Sequence, residues 1–140
     1  MARRRLIDPR VWQSGHFKRL NMRQRLLWLG IITLADDEGK LRGEPAVIKA
    51  DIFPFDSVNL KTVESDLSVL GNEGVLHSYQ VEGDLYIWIP KWERYQKPSH
   101  PTPSKIPDPP AKRSGELRES LHRDYEAPSD QSSAGQVSKS

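Results

Sequence analysis

Six of the eleven prolines in this 140-residue chain fall between Pro98 and Pro110, in the run PSHPTPSKIPDPP. Each proline fixes its φ angle and lacks a backbone donor, so this stretch cannot join a helix or a sheet ladder. Residues 98–110 therefore read as an extended, semi-rigid spacer. A globular core has to be built before them. Beyond the spacer, residues 111–140 are polar and rich in serine, the composition of a disordered tail. Leu117, Leu121 and Tyr125 recur there every four residues, with Glu119 and Arg123 as an i,i+4 pair. Residues 115–125 could thus form one short helix, but a helix this short is marginal alone and is expected to stay frayed, with ordering on a protein partner as the alternative.

Apolar residues make up 36% of the chain, leaner than an average globular domain, as expected if only part of it folds. The chain lacks a run of about 18 apolar residues, so no membrane-spanning helix is expected. The N-terminus, MARRRLIDPR, is basic but lacks the apolar stretch and cleavage site of a signal peptide. With no cysteine, disulfides, thiol catalysis and cysteine–zinc sites are excluded and a cytoplasmic location is expected. The net charge of +2 conceals a segregation: residues 1–25 carry +7, residues 26–90 carry −7, and residues 91–140 carry +2. A basic arm on an acidic body points to phosphate or to an acidic protein as partner.

Residues 11–97 hold the expected domain. The most apolar segment, Leu26 to Ala35, follows Asn21 and Gln24, which have the spacing of a capping box. A helix from about Met22 to Ala35 is expected at the centre of the core, ending before Gly39. In KLRGEP, Lys40 to Pro45, the Gly43–Pro45 stretch suggests a short extended piece followed by a new start. Pro45 suits the first position of a second helix, which runs to Phe53 and stops at Pro54. Asn59 caps a third helix, in which Leu60, Val63, Leu67 and Leu70 share one face, Val58 and Val63 form a staple, and Gly71 or Gly74 is the stop. The period then becomes two over Val75–Val81 and Leu85–Ile89, with Glu82-Gly83-Asp84 as the hairpin loop. The expected fold is α+β: a winged helix-turn-helix of three helices and a β-hairpin wing, with a basic arm at residues 1–10.

Catalysis is not expected. There is no phosphate-cradling glycine loop and no Gly-x-Ser-x-Gly elbow. The four histidines are far apart in sequence, and no metal site or cofactor is expected. The run Asp36-Asp37-Glu38 is the one acidic cluster. Consecutive residues at a helix end point about 100° apart, which suits a solvated turn better than a shared ion.

The stretch IDPRVWQSGHFKRLNMRQRLLWLGIITLADDEGKLRGEPAVIKADIFPFD, continued by GNEGVLHSYQVEGDLYIWIPKWERYQKPSHPTPSKIP, resembles the N-terminal winged-helix domain of phage and prophage replication proteins of the replisome-organiser, DnaD-like kind. The resemblance covers about residues 5–107. Its more specific pieces are the LADDEG turn, the IFP segment and the YQKPSHPTPSKIP exit. It implies a winged helix, a phage origin, a role in DNA replication initiation, a nucleoid-associated place in a bacterial cytoplasm, and a replication or host protein as partner of residues 115–125. Longer members carry a second C-terminal domain, where this sequence has only about thirty polar residues after the spacer.

The expected recognition helix, Leu60–Leu70, presents Lys61, Thr62, Glu64, Ser65, Asp66 and Ser68, a weak set for facing phosphates. The candidate DNA contacts are instead Arg3, Arg4, Arg5 and Arg10 in the arm, Lys18, Arg19, Arg23 and Arg25 around the first helix, Lys61, and Lys91, Arg94 and Lys97 after the wing. Guanidinium forks suit phosphates and position a protein without reading sequence. Trp92 and Tyr95 are candidates for stacking on unpaired bases, with core and hairpin packing favoured for Trp88. The leading expectation is a protein that binds duplex or single-stranded DNA with low sequence specificity. The alternatives are an interaction module, whose arm pairs with the acidic body of a second copy or of a host protein, and a transcriptional regulator.

Overall fold

The computed structural model describes residues 3–110. The tail 111–140, with the candidate helix at 115–125, lies outside the described residues. The fold is α+β, with five α-helices and one three-stranded antiparallel sheet among the described residues. A 3-10 turn, Pro9–Gln13, leads into α1 (Gly15–Arg19) and α2 (Met22–Leu34). Then come β1 (Lys40–Arg42), α3 (Pro45–Ile52), α4 (Leu60–Asn72), β2 (His77–Val81), β3 (Asp84–Trp88) and α5 (Trp92–Tyr95).

Local chemistry accounts for the boundaries. Asn21 accepts from the Gln24 amide while the Gln24 side chain accepts from the Asn21 amide, a complete capping box that fixes the start of α2. Leu27 and Ile31, one turn apart, are fully buried. Gly30 lies against Ile52, where an added methyl would sit 2.6 Å from the Ile52 side chain, so glycine sets how closely α2 and α3 approach. Pro45 opens α3 at a position where its missing donor costs nothing. Asn59 caps α4 through the Thr62 amide, and Val63, Leu67 and Leu70 turn to the core. α4 runs through Gly71 and stops at Asn72, and Gly74, at φ +80°, makes the exit. The 3-10 turn, α1 and α5 were not expected. α1 and α5 are five and four residues long, too short for a periodic signal.

The strand order is β1-β3-β2. Leu41 pairs with Ile87, and both enter the core with the helices. The opposite face carries two rungs, Lys40–Trp88–His77 and Arg42–Tyr86–Tyr79, because residues directly across a ladder point the same way. Tyr79 and Trp88 are buried yet stand outside the core cluster. Trp88 is thus packed within the hairpin, as expected, on the face away from the helices.

The cover of that outer face is the proline segment. Residues 98–110 do not stand away from the body as a spacer. The Tyr79 hydroxyl donates to the Pro107 carbonyl at 2.7 Å, Lys40 pairs with Asp108, and Pro109 is fully buried. Proline cannot join a ladder, but its ring and its free carbonyl can lie on aromatic side chains. The segment is a strap.

The hairpin turns on Glu82 (φ +53°) and Gly83 (φ +87°), the pair of left-handed residues that matches strand twist in a two-residue loop. Glu82 is strained there, so Glu82→Asn is expected to stabilise the fold by about 0.5–1 kcal/mol. Ile31→Ala should cost about 2–5 kcal/mol through the cavity it leaves. Urea unfolding of both variants against the parent chain measures the two effects.

Candidate functional site

The turn after α2 gathers both ends of the described chain. Asp37, with a side chain 4% exposed, takes Arg5 Nη1 at 3.0 Å, Arg3 Nε at 3.0 Å and the Thr102 amide at 2.8 Å. Asp36 accepts from the Ser104 hydroxyl and also from the Lys40 amide at 3.0 Å. Glu38 accepts from the Ser104 amide at 3.1 Å and from Lys40 Nζ at 2.9 Å. The acidic run is thus not a solvated turn but the hub of a clasp. The expectation failed because it weighed the run against a metal ion or water, and the partners that close the clasp, in the arm and the strap, lie more than 30 positions away in sequence.

Arg5 is the centre of this clasp. Its side chain is 2% exposed, donates to the Ala35 carbonyl at 2.9 Å and lies over the Trp92 ring at 5.0 Å. Its Nε is the one buried side-chain polar atom without a hydrogen-bond partner among the described residues. Trp92 donates from Nε1 to the Asp37 carbonyl at 2.9 Å and is itself 3% exposed. Gly39, at φ +81°, leaves the room that Trp92 fills. Trp92 is consequently no platform for unpaired bases, and Arg5 is not presented to phosphate. Tyr95 is 46% exposed. Arg3 also donates to the carbonyls of Ser99 and His100. The charges of Arg3 and Arg5 meet the acidic body of this same chain.

The remaining candidates divide by partner. Arg10 holds Asp8 at 2.7 Å, and that contact keeps the Asp8 pKa down at about 2. Arg19 meets Glu73 at 2.9 Å, where His16 Nδ1 also lies at 3.0 Å. Arg23 meets Asp66 at 2.6 Å, helped by the Gln24 amide group at 2.9 Å. Arg25 donates to the Phe17 carbonyl at 3.0 Å. Lys97 donates to the Glu93 carbonyl at 3.0 Å. Lys91 is half-buried in a left-handed conformation before α5, and Arg94 is exposed on α5. Arg4, Lys18 and Lys61 are exposed.

Asp66 does not face outward from α4. It is 2% exposed and turned to α2. Burial alone would raise its pKa, but the hydrogen bonds from Arg23 and Gln24 and the Arg23 charge hold it below the usual carboxylate range. The outward face of α4 is left with Lys61, Glu64, Ser65, Ser68 and Asn72. Besides Asp37, Lys40 and Asp108, the structure brings forward Tyr79, Tyr86 and Trp88. That Tyr86 and Trp88 share a face of their strand, as Lys40 and Arg42 do of theirs, is readable once strands are assigned. Which strands neighbour each other is not.

Among the described residues, no group of three or more His, Asp or Glu side chains is placed to hold a metal ion. Among them, too, no helix is long and apolar enough to cross a membrane.

The clasp carries a pH dependence. The Thr102 amide, then the Arg5 hydrogen bond and the two arginine charges, hold Asp37 below its ordinary pKa against the cost of burial. A depressed carboxylate stabilises the fold fully above its unfolded pKa and loses that contribution as pH falls through the folded value. The Asp37 contribution is therefore expected to be complete from about pH 5 upward and to be lost below about pH 4. Asp37→Ala should remove about 3–5 kcal/mol at neutral pH, since Arg5 is left buried and unpaired. It should also flatten the acid limb of a thermal-melting profile against pH. No family model matches this chain, and neither the curated proteins nor the solved structures searched hold a match to it.

Proposed function

We propose that this chain is a winged-helix protein that binds duplex DNA, in phage or prophage replication initiation, with low sequence specificity. The arrangement that supports a winged helix is the order α2-β1-α3-α4-β2-β3, with β1 joined to the hairpin through β3. In that reading α4 is the recognition helix and the Glu82-Gly83 turn is the wing tip. The observation that carries DNA binding is the inward turn of Asp66. It takes one of two acids off the outward face of α4 and leaves Lys61 with the hydroxyls of Ser65 and Ser68, groups able to donate to phosphate oxygens. Lys18 on α1 and Arg4 in the arm add exposed positive charge. The replication setting comes from the sequence resemblance alone.

One other reading has a specific observation behind it. Phe55 is 97% exposed, Met22 79% and Trp12 60%, and large apolar groups left in water favour a protein partner or a second copy.

Fluorescence anisotropy with a labelled duplex at about 50 and 200 mM salt separates these. The DNA reading expects salt-dependent binding. It expects Lys18→Glu with Lys61→Glu to weaken binding at least tenfold, and the salt slope to fall by about 1 for each phosphate that is no longer neutralised. A chain that ignores duplex at the lower salt, and whose solution mass exceeds one copy, overturns the DNA reading in favour of association.

A further inference from the structure

The outer face of the sheet is built from two parallel rungs. Each runs cation, ring, ring across the sheet: Lys40–Trp88–His77 and Arg42–Tyr86–Tyr79. The rings are mutually ordered. Tyr79 lies 5.6 Å from Tyr86, and the His77 ring is stacked on Tyr79 at 6.2 Å with 15° between planes. Successive rungs are about 7 Å apart, two residues along a strand. Flat rings beside a line of cations are the chemistry that takes unpaired bases and their phosphates, because every base has a π-face and every linkage a negative charge. Sheets that stack two or three bases on exposed rings work in this way.

The strap fills this face with matching chemistry. Pro109 is fully buried, Pro107 accepts from the Tyr79 hydroxyl, and the Asp108 carboxylate sits on Lys40 Nζ. Lys40 is 3% exposed with a second carboxylate, Glu38, at 2.9 Å. A lysine held this way is a charged site closed by an internal anion. The strap has no strand pairing to the sheet. Its hold is a set of side-chain contacts: Arg3 on the Ser99 and His100 carbonyls, the acidic turn on Thr102 and Ser104, Tyr79 on Pro107 and Lys40 on Asp108.

We infer that the outer sheet face is a binding site for single-stranded nucleic acid, and that residues 98–110 are its built-in cover, Asp108 standing where a phosphate would lie and the prolines where bases would stack. The site is distinct from the duplex-binding surface on α4 and rests on the nucleic-acid reading only for the class of ligand. The cations decide between nucleic acid and a proline-rich partner peptide. A peptide groove has no need for one cation per rung, nor for a carboxylate closing one of them.

The test uses the full chain and an oligothymidylate of about 12 nucleotides. Pro109→Asp puts a charge where the strap is fully buried and should lift it. Asp108→Ala removes the closing anion with less risk to folding. Faster proteolytic cleavage within residues 98–110 of a variant that still melts cooperatively reports that the strap has lifted. Pro109→Asp is expected to bind the oligonucleotide at least tenfold more tightly than the intact chain, with quenching of tryptophan fluorescence, and Asp108→Ala to show a smaller gain. Adding Tyr86→Ala should abolish the gain and leave duplex binding unchanged. If Pro109→Asp does not melt cooperatively, Asp108→Ala decides alone. Folded variants with a lifted strap and no gain overturn the inference, as does a gain that survives Tyr86→Ala. Uptake of a synthetic peptide of residues 98–110 in place of the oligonucleotide also overturns it. Duplex binding by the intact chain is read separately, so loss of the α4 reading leaves this result intact, and the reverse.

Discussion

The ion pair between Arg5 and Asp37 is closed to water on both sides, with side chains 2% and 4% exposed. Charges removed from water have to be satisfied within the protein or they destabilise it, so the pair dictates what surrounds it. Asp37 draws in Arg3 and the Thr102 amide, which secures the arm and the strap to one turn. Arg5 needs a flat surface beneath it, and Trp92 supplies it. Trp92 in turn needs the space over Gly39, where an added methyl would sit 2.7 Å from its ring. From glycine to strap, each contact requires the one before it. A chain without cysteine joins its arm and its strap to its middle by this electrostatic route.

The same clasp changes the meaning of the charge segregation. A basic first segment and an acidic body invite a search for an external anion. Much of the attraction is spent inside one molecule: Arg3 and Arg5 on Asp37, Arg19 on Glu73, Arg23 on Asp66, Arg10 on Asp8. Exposed cations such as Arg4, Lys18 and Lys61 carry what is left for a partner. The structure thus narrows a diffuse basic arm to a few positions.

Regular elements were legible where a local signal stands beside a periodic run, and were missed in the 3-10 turn and α1, whose caps at Asp8 and Ser14 precede segments too short to show a period. The capping box of Asn21 and Gln24, Pro45 at a helix start, Asn59 before α4 and the Glu82-Gly83 turn all act over a few residues, and all lie where sequence places them. What was not legible acts at long range. Nothing local to Asp37 says that it faces Arg5, and nothing in the proline run says that it lies on Tyr79. Trp92 was open between stacking and packing because exposure depends on the fold and not on residue type. Asp66 sits at the i+3 position from Val63 and the i−4 position from Leu70, on the buried face. Polarity suggested solvent, whereas an arginine on another helix made burial tolerable.

The strap is also late in time. Thr102 reaches Asp37 across 65 positions, and Lys40 reaches Asp108 across 68. A ribosome adds residues at about 5–20 per second, so the roughly twenty residues between Trp88 and Asp108 take about one to four seconds. A mixed α/β domain of this size folds in far less time, on the order of milliseconds. Each newly made copy therefore passes through an interval in which the sheet is formed and its aromatic face is bare. Throughout that interval Lys40 lacks its Asp108 partner, and the nascent molecule meets the cell with a surface that the finished one keeps covered.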